Sequence, residues 1–121
     1  MSDPVVTFPH HRLHAWCVSL EFAVAVRRLA QRMPRGHASL ADQMVRAAQS
    51  ASLLIAEGAN RRSPGDKRYR FEMAQGEVGE CAAALELAVV LGLVPDADAR
   101  TAMALAARIA AMLTRLVQRF A

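Results

Sequence analysis

Aromatic residues are scarce: Phe, Trp and Tyr make up 5% of the 121 residues. Ala, Leu, Val and Met must therefore fill any core, and that mix suits helices better than strands. Two cysteines are too few for a disulfide framework. The longest apolar run, Cys81 to Pro95, is interrupted by Glu86 and falls short of the ~20 residues a membrane span needs. Met1-Ser2-Asp3-Pro4 has neither the basic start nor the apolar stretch of a secretory signal. The expectation is a cytoplasmic protein without membrane association. Catalytic signatures are missing as well. There is no Gly-x-Ser-x-Gly, and Gly58 to Lys67 does not match a phosphate-binding loop. No glutamate is followed three places later by His, as ferritin-like di-metal bundles require. These absences argue against an enzyme and against a bound cofactor.

What is present is apolar and helical. The chain is 54% hydrophobic with mean hydropathy +0.15, which excludes disorder, and its length is that of one domain. Four segments carry helical periodicity. The first, about 11–33, has two apolar stripes. One is Leu13, Trp16/Cys17, Leu20, Ala23/Val24; the other is Val18, Phe22, Val26, Leu29, Met33. Pro34 and Gly36 stop it. The second, about 39–59, opens on the capping-box-like Ser39-Leu40-Ala41-Asp42. The third, about 64–91, has Ser63 as cap, Pro64 in the first position and Asp66 in the first turn, with Gly92 and Pro95 after its end. The fourth, about 97–120, runs Ala102, Ala106, Ile109, Leu113, Leu116, Phe120. Residues 1–9 read as a flexible lead-in. Short connections predict an all-α, up-down-up-down four-helix bundle. Both cysteines lie on apolar faces and read as core. Gly76 and Gly79, costly inside a helix, suggest close packing within or between chains. The wide apolar faces of the first and fourth helices predict self-association.

Charge is unevenly placed. Lys67 is the only lysine among 15 basic residues, and the net charge is +4. From Asn60 to Arg70, five basic residues (Arg61, Arg62, Lys67, Arg68 and Arg70) stand against Asp66 alone, so the whole net charge sits in that window. Up-down-up-down topology adds Arg12, Arg115 and Arg119 to the same end. Clustered arginine suits phosphate and gives salt-dependent nucleic-acid affinity. The plainer reading is a solvated, salt-bridged bundle end.

Leu40-x-x-Gln43-Met44-x-Arg46-Ala47-Ala48-x-Ser50, followed by Ile55-Ala56-Glu57-Gly58, resembles the four-helix-bundle family first noticed as proteins encoded in intervening sequences of bacterial large-subunit ribosomal RNA genes. Arg61/Arg62, Ser63, Tyr69/Phe71 and Ala74-x-Gly76-Glu77-x-x-Glu80 continue the pattern, with Glu77 where the family usually has Ser. Leu13-x-x-Trp16, Met33-Pro34 and Leu91-Gly92 fit its flanks. The resemblance implies a bundle that assembles into ring-shaped homopentamers. Its relatives include accessory proteins of diversity-generating retroelements, which bind a reverse transcriptase and RNA.

Two smaller groups lie outside the basic cluster. Glu57 lies near a helix C-terminus, where the dipole opposes a carboxylate. Arg61, four residues on, is its natural partner, and with Arg46 and Ser50 it forms a candidate polar seam between helices or subunits. No second catalytic group stands beside it. His10, His11 and His14 can share a face, but in a solvated segment, so no metal site is expected. The phosphate-contact candidates are Arg61, Arg62, Lys67, Arg68, Arg70 and Arg119. The resulting expectation is a non-enzymatic oligomeric scaffold, with RNA or another nucleic acid as partner. A ring-shaped adaptor for a protein such as a reverse transcriptase is the other possibility.

Overall fold

A short 3-10 turn over Pro9–Arg12 leads into four helices in a computed structural model that describes residues 7–121. These are α1 (His14–Gln31), α2 (Ala38–Asn60), α3 (Pro64–Val90) and α4 (Asp96–Arg119). α1 packs on α2 and α4, and α3 packs on the same two, so α1 and α3 occupy one diagonal. Neighbours run antiparallel: the Ser52 hydroxyl donates to the Ser19 carbonyl, and the Cys81 thiol to the Met44 carbonyl. The predicted up-down-up-down bundle is the observed one.

Helix ends follow local chemistry, with two departures. At α3 the Ser63 hydroxyl accepts from the Asp66 N–H at 3.1 Å, and Pro64 occupies the first turn. Its far end closes in a Schellman arrangement: Leu93 N–H donates to Ala88 O and Gly92 N–H to Val89 O. Gly92 provides the positive φ, +75°, that this closure requires. α2 does not start at the expected Ser39 box. It starts at Ala38 after His37, with no side-chain cap, because Ser39 already lies inside the first turn. α1 begins at His14 rather than near 11. Leu13 is extended (φ −88°, ψ 122°) and separates the 3-10 turn from the helix. Of the lead-in expected to be flexible, residues 1–6 lie outside the described residues, whereas Thr7 and Phe8 N–H groups both donate to His11 Nδ1.

The core is small-residue rich, as the composition required. Phe22, Val26, Met44, Ile55, Phe71, Cys81, Leu85, Ile109 and Leu113 are fully buried, with alanines between them. Of the two α1 stripes, Val18-Phe22-Val26-Leu29 faces inward and Cys17-Leu20-Val24 faces out. Cys17 is thus exposed, a correction to its expected core position. It continues the stripe that a single four-helix core has no room to cover. Cys81 is buried, and burial together with Glu80 and Glu77 pushes its thiol up to about 12.

Two expectations about surfaces need revision. The apolar excess of α4 is taken up by the bundle, since Met103, Leu105 and Met112 pack against the core. The excess appears instead on α3, where Tyr69, Met73, Leu87 and Val90 are exposed. Close packing within the chain does not account for Gly76 and Gly79, because a Cβ at either would meet nothing within 4 Å. Gly58 is the glycine that close packing demands. A Cβ there would lie 2.6 Å from the Phe71 ring.

Gly58→Ala should therefore lower the unfolding free energy by about 1–3 kcal/mol, the usual range for overpacking. Gly79→Ala should leave it unchanged or raise it by up to about 1 kcal/mol through helix propensity. Chemical denaturation of the two variants beside wild type checks both. Equal stability of all three would remove the steric role assigned to Gly58.

Candidate nucleic-acid interface

The corner between α2 and α3 is set by Gly58. Its missing side chain lets the Phe71 ring lie over the α2 backbone, and Phe120 at the end of α4 stacks on Phe71 with ring centroids 6.1 Å apart. Three helix ends meet there. The basic window flanks this cluster, because Arg61 and Arg62 follow α2 and Lys67 to Arg70 open α3.

Two of the predicted phosphate contacts are spent inside the fold. Lys67 Nζ donates to the Ala59 carbonyl at 2.9 Å and to Gly58 at 3.4 Å, and lies 5.6 Å from the Phe120 ring centre. It compensates the negative end of the α2 dipole and fills orphan acceptors of the last turn. Arg70 is half-buried, with Nε 3.8 Å from Glu57 Oε2 and its guanidinium 5.4 Å from the Tyr69 ring centre. That Nε is buried without a hydrogen-bond partner. Arg70 thus takes the role expected of Arg61 in pairing with Glu57. Arg68 is held loosely by Glu72 at 3.5 Å, an exposed i,i+4 pair worth little.

The remaining cations stay uncommitted. Among the described residues the side chains of Arg12, Arg61, Arg62, Arg115 and Arg119 have no ion-pair or hydrogen-bond partner, and all five are exposed. Arg12, Arg115 and Arg119 line one groove of about 260 Å³ between α1 and α4, together with Leu13, His14, Met112 and Leu116. Arg108 approaches this groove through His14, at 3.5 Å. Beside it stands a ring cluster absent from the sequence reading. His10 stacks on Phe8 and meets Trp16 edge-on at 4.8 Å, with Asn60 Nδ2 2.8 Å from His10 Nδ1. Burial, then the neighbouring His11, holds His10 below its usual range. Phe8 is 55% exposed and offers an aromatic surface at the basic end.

The polar seam is only partly as expected. Arg46 and Ser50 line a groove of about 230 Å³ between α2 and α3 with Gln43, Glu77 and Glu80. Glu57 lies beyond it, paired to Arg70. Gln43 Nε2 donates to Glu80 Oε1 at 3.0 Å. Burial, the Glu80 charge and a hydrogen bond between the two carboxyls raise Glu77, while Arg46 partly offsets the rise. Among the described residues no three His, Cys, Asp or Glu side chains converge as a metal site would need, and no helix is long and apolar enough to cross a membrane.

A raised carboxyl in the folded state favours folding below the unfolded value, near 4.5, and loses that contribution as pH rises through the folded value. Wild type should therefore lose stability relative to Glu77→Gln as pH climbs from about 4.5 towards neutrality, and the two should converge below it. Thermal melts across pH 4–8 measure the difference, and a pH-independent difference would contradict this account of Glu77.

The sequence profile of the 23S rRNA-intervening sequence proteins matches residues 11–115. No curated protein matches the chain significantly. Among solved structures, a protein of unknown function from the S23 ribosomal protein family of Bacteroides thetaiotaomicron superposes with a TM-score of 0.80. It is 21% identical, over 86% of this chain and 98% of that one, a likeness of fold. Four antiparallel helices and a profile match over most of their length together assign this chain to the 23S rRNA-intervening sequence protein family.

Proposed function

We propose that the protein is a non-enzymatic, oligomeric helical scaffold that binds RNA or another nucleic acid through the basic end of its bundle. The observation that carries this reading is the set of five exposed arginines without partners at one end, namely Arg12, Arg61, Arg62, Arg115 and Arg119. An exposed guanidinium that forms no internal pair keeps its full capacity for a phosphate, and its fork fits two phosphate oxygens. Lys67 and Arg70 contribute positive potential but are anchored within the fold. Phe8 and the His10–Trp16 pair add rings next to the cations, which suits unpaired bases better than a duplex groove.

The test is a salt titration of binding to a structured RNA and to a duplex DNA. Arg61→Ala, Arg62→Ala and Arg119→Ala combined should weaken binding and reduce the slope of log K against log salt by roughly 2–3. Lys67→Met serves as the contrast. It should cost about 1–3 kcal/mol of stability, through lost charged hydrogen bonds, and change the slope by about 1 or less. Absence of binding at low salt would leave the basic end an ordinary solvated surface. The protein-adaptor reading would then take its place.

A further inference from the structure

We infer that residues 7–12 form a proton-released clasp, which holds Phe8 and Arg12 at the basic end of the bundle only while His10 and His11 are both neutral. This goes beyond the proposed function, since the clasp closes or opens whether or not that end binds a nucleic acid.

The 3-10 turn is tied at its start by one imidazole. His11 N–H donates to the Phe8 carbonyl at 3.1 Å, and the Thr7 and Phe8 N–H groups donate to His11 Nδ1 at 3.2 and 3.3 Å. A side chain three residues on that accepts the N-cap N–H is half of a capping box, where Glu or Gln usually serves. Those acceptors keep their role through the neutral range, because glutamine does not titrate and a carboxylate is protonated only near pH 4. An imidazole accepts at Nδ1 only while that nitrogen carries no proton. A proton on His11 Nδ1 would set one N–H against two backbone N–H groups and release the turn.

The second tie joins the turn to the end of α2. Asn60 Nδ2 lies 2.8 Å from the Ala56 carbonyl and 2.8 Å from His10 Nδ1. The carbonyl can only accept, so it fixes the orientation of the amide, and the second amide hydrogen points at His10. His10 Nδ1 must then accept as well, which leaves the ring's proton on Nε2.

The surroundings also disfavour charge on these rings. His10 and His11 stand 4.5 Å apart between ring centroids, and Phe8 and Trp16 lie against His10. The turn packs on α1 and α2. The titratable and charged groups there are Arg12 on the turn, His14 at the start of α1, which meets Arg108 of α4, and Glu57 and Arg61 at the end of α2. Glu57 is taken up by Arg70, and among the described residues no carboxylate pairs with either histidine. Burial and then His11 hold His10 below its ordinary 6.5. A group lowered in the folded state supports that state above its unfolded value and loses this support as pH falls through the folded one. The clasp is therefore closed at neutral pH and opens below about 6.5. Arg12 lines the α1/α4 groove with Arg115 and Arg119, and the Phe8 ring lies on the turn, so two protons decide whether both stay in place.

Nuclear magnetic resonance of the full chain, without nucleic acid, tests this. At about pH 8 the imidazole nitrogen shifts should show His10 and His11 both protonated at Nε2 and bare at Nδ1. As pH falls below about 6.5 the Thr7 and Phe8 amide signals should shift together with the titration of the two rings. Trp16 is the only tryptophan, so its fluorescence should change over the same range as His10 charges beside it. The double variant His10→Asn/His11→Asn keeps an acceptor oxygen near each Nδ1 position and cannot take up a proton, so its Thr7 and Phe8 signals should stay flat. Asn60→Asp replaces the donor by an acceptor and should shift the His10 titration upward. A proton on Nδ1 of either ring at about pH 8 would overturn the inference. So would Thr7 and Phe8 signals that ignore the titration, or a transition that persists in the double Asn variant.

Discussion

The bundle is held to its shape at one corner by a close approach that only glycine permits. At Gly58 the α2 backbone comes so near the Phe71 ring that a single added carbon would overlap it. Phe71 in turn receives Phe120, and Lys67 reaches across to the last carbonyls of α2. Three helix ends are fixed relative to one another by these contacts. The turn at Arg61 to Ser63 is correspondingly tight, and the polar side chains on it are left facing solvent. The Ile55-Ala56-Glu57-Gly58 stretch therefore acts through packing first: Ile55 fills the core, Gly58 admits a ring, and Glu57 holds Arg70.

That corner also divides the basic residues into two kinds. Lys67 and Arg70 answer electrostatic demands of the fold, one from a helix dipole and one from a carboxylate near that same helix end. Arg61 and Arg62 answer none, and Arg12, Arg115 and Arg119 are brought beside them only by the way the chain ends meet. Net charge in the window is thus a poor guide to which side chains are available. Three of the five uncommitted arginines lie outside it.

α3 is unusual in being apolar or small on more than one face. Its inward stripe builds the core, its α2-facing side carries the Glu77–Glu80 groove opposite Arg46, and Tyr69, Met73, Leu87 and Val90 are exposed. A helix of this kind gives a weak amphipathic signal, since its apolar and charged residues are not segregated to opposite sides. Self-association was expected from the stripes of α1 and α4, whereas neighbouring helices cover the α4 stripe. An excess of apolar residues on one helix does not reveal how much of it its own bundle consumes. That depends on crossing geometry, to which every helix contributes.

The sequence alone determined the number of helices, their order and most of their ends, because periodicity, Ser63-Pro64, Gly92 and Pro95 act locally. It also located the basic end, since up-down topology follows from short connections. Tertiary structure decided the rest. It made Arg70 rather than Arg61 the partner of Glu57, turned Lys67 into a cap, and placed Cys17 outside and Cys81 inside. It also assembled the Phe8–His10–Trp16 cluster beside Asn60 from segments fifty residues apart. Each of these depends on a distance between separate helices, and spacing along one chain segment carries no information about that distance until the helices have packed.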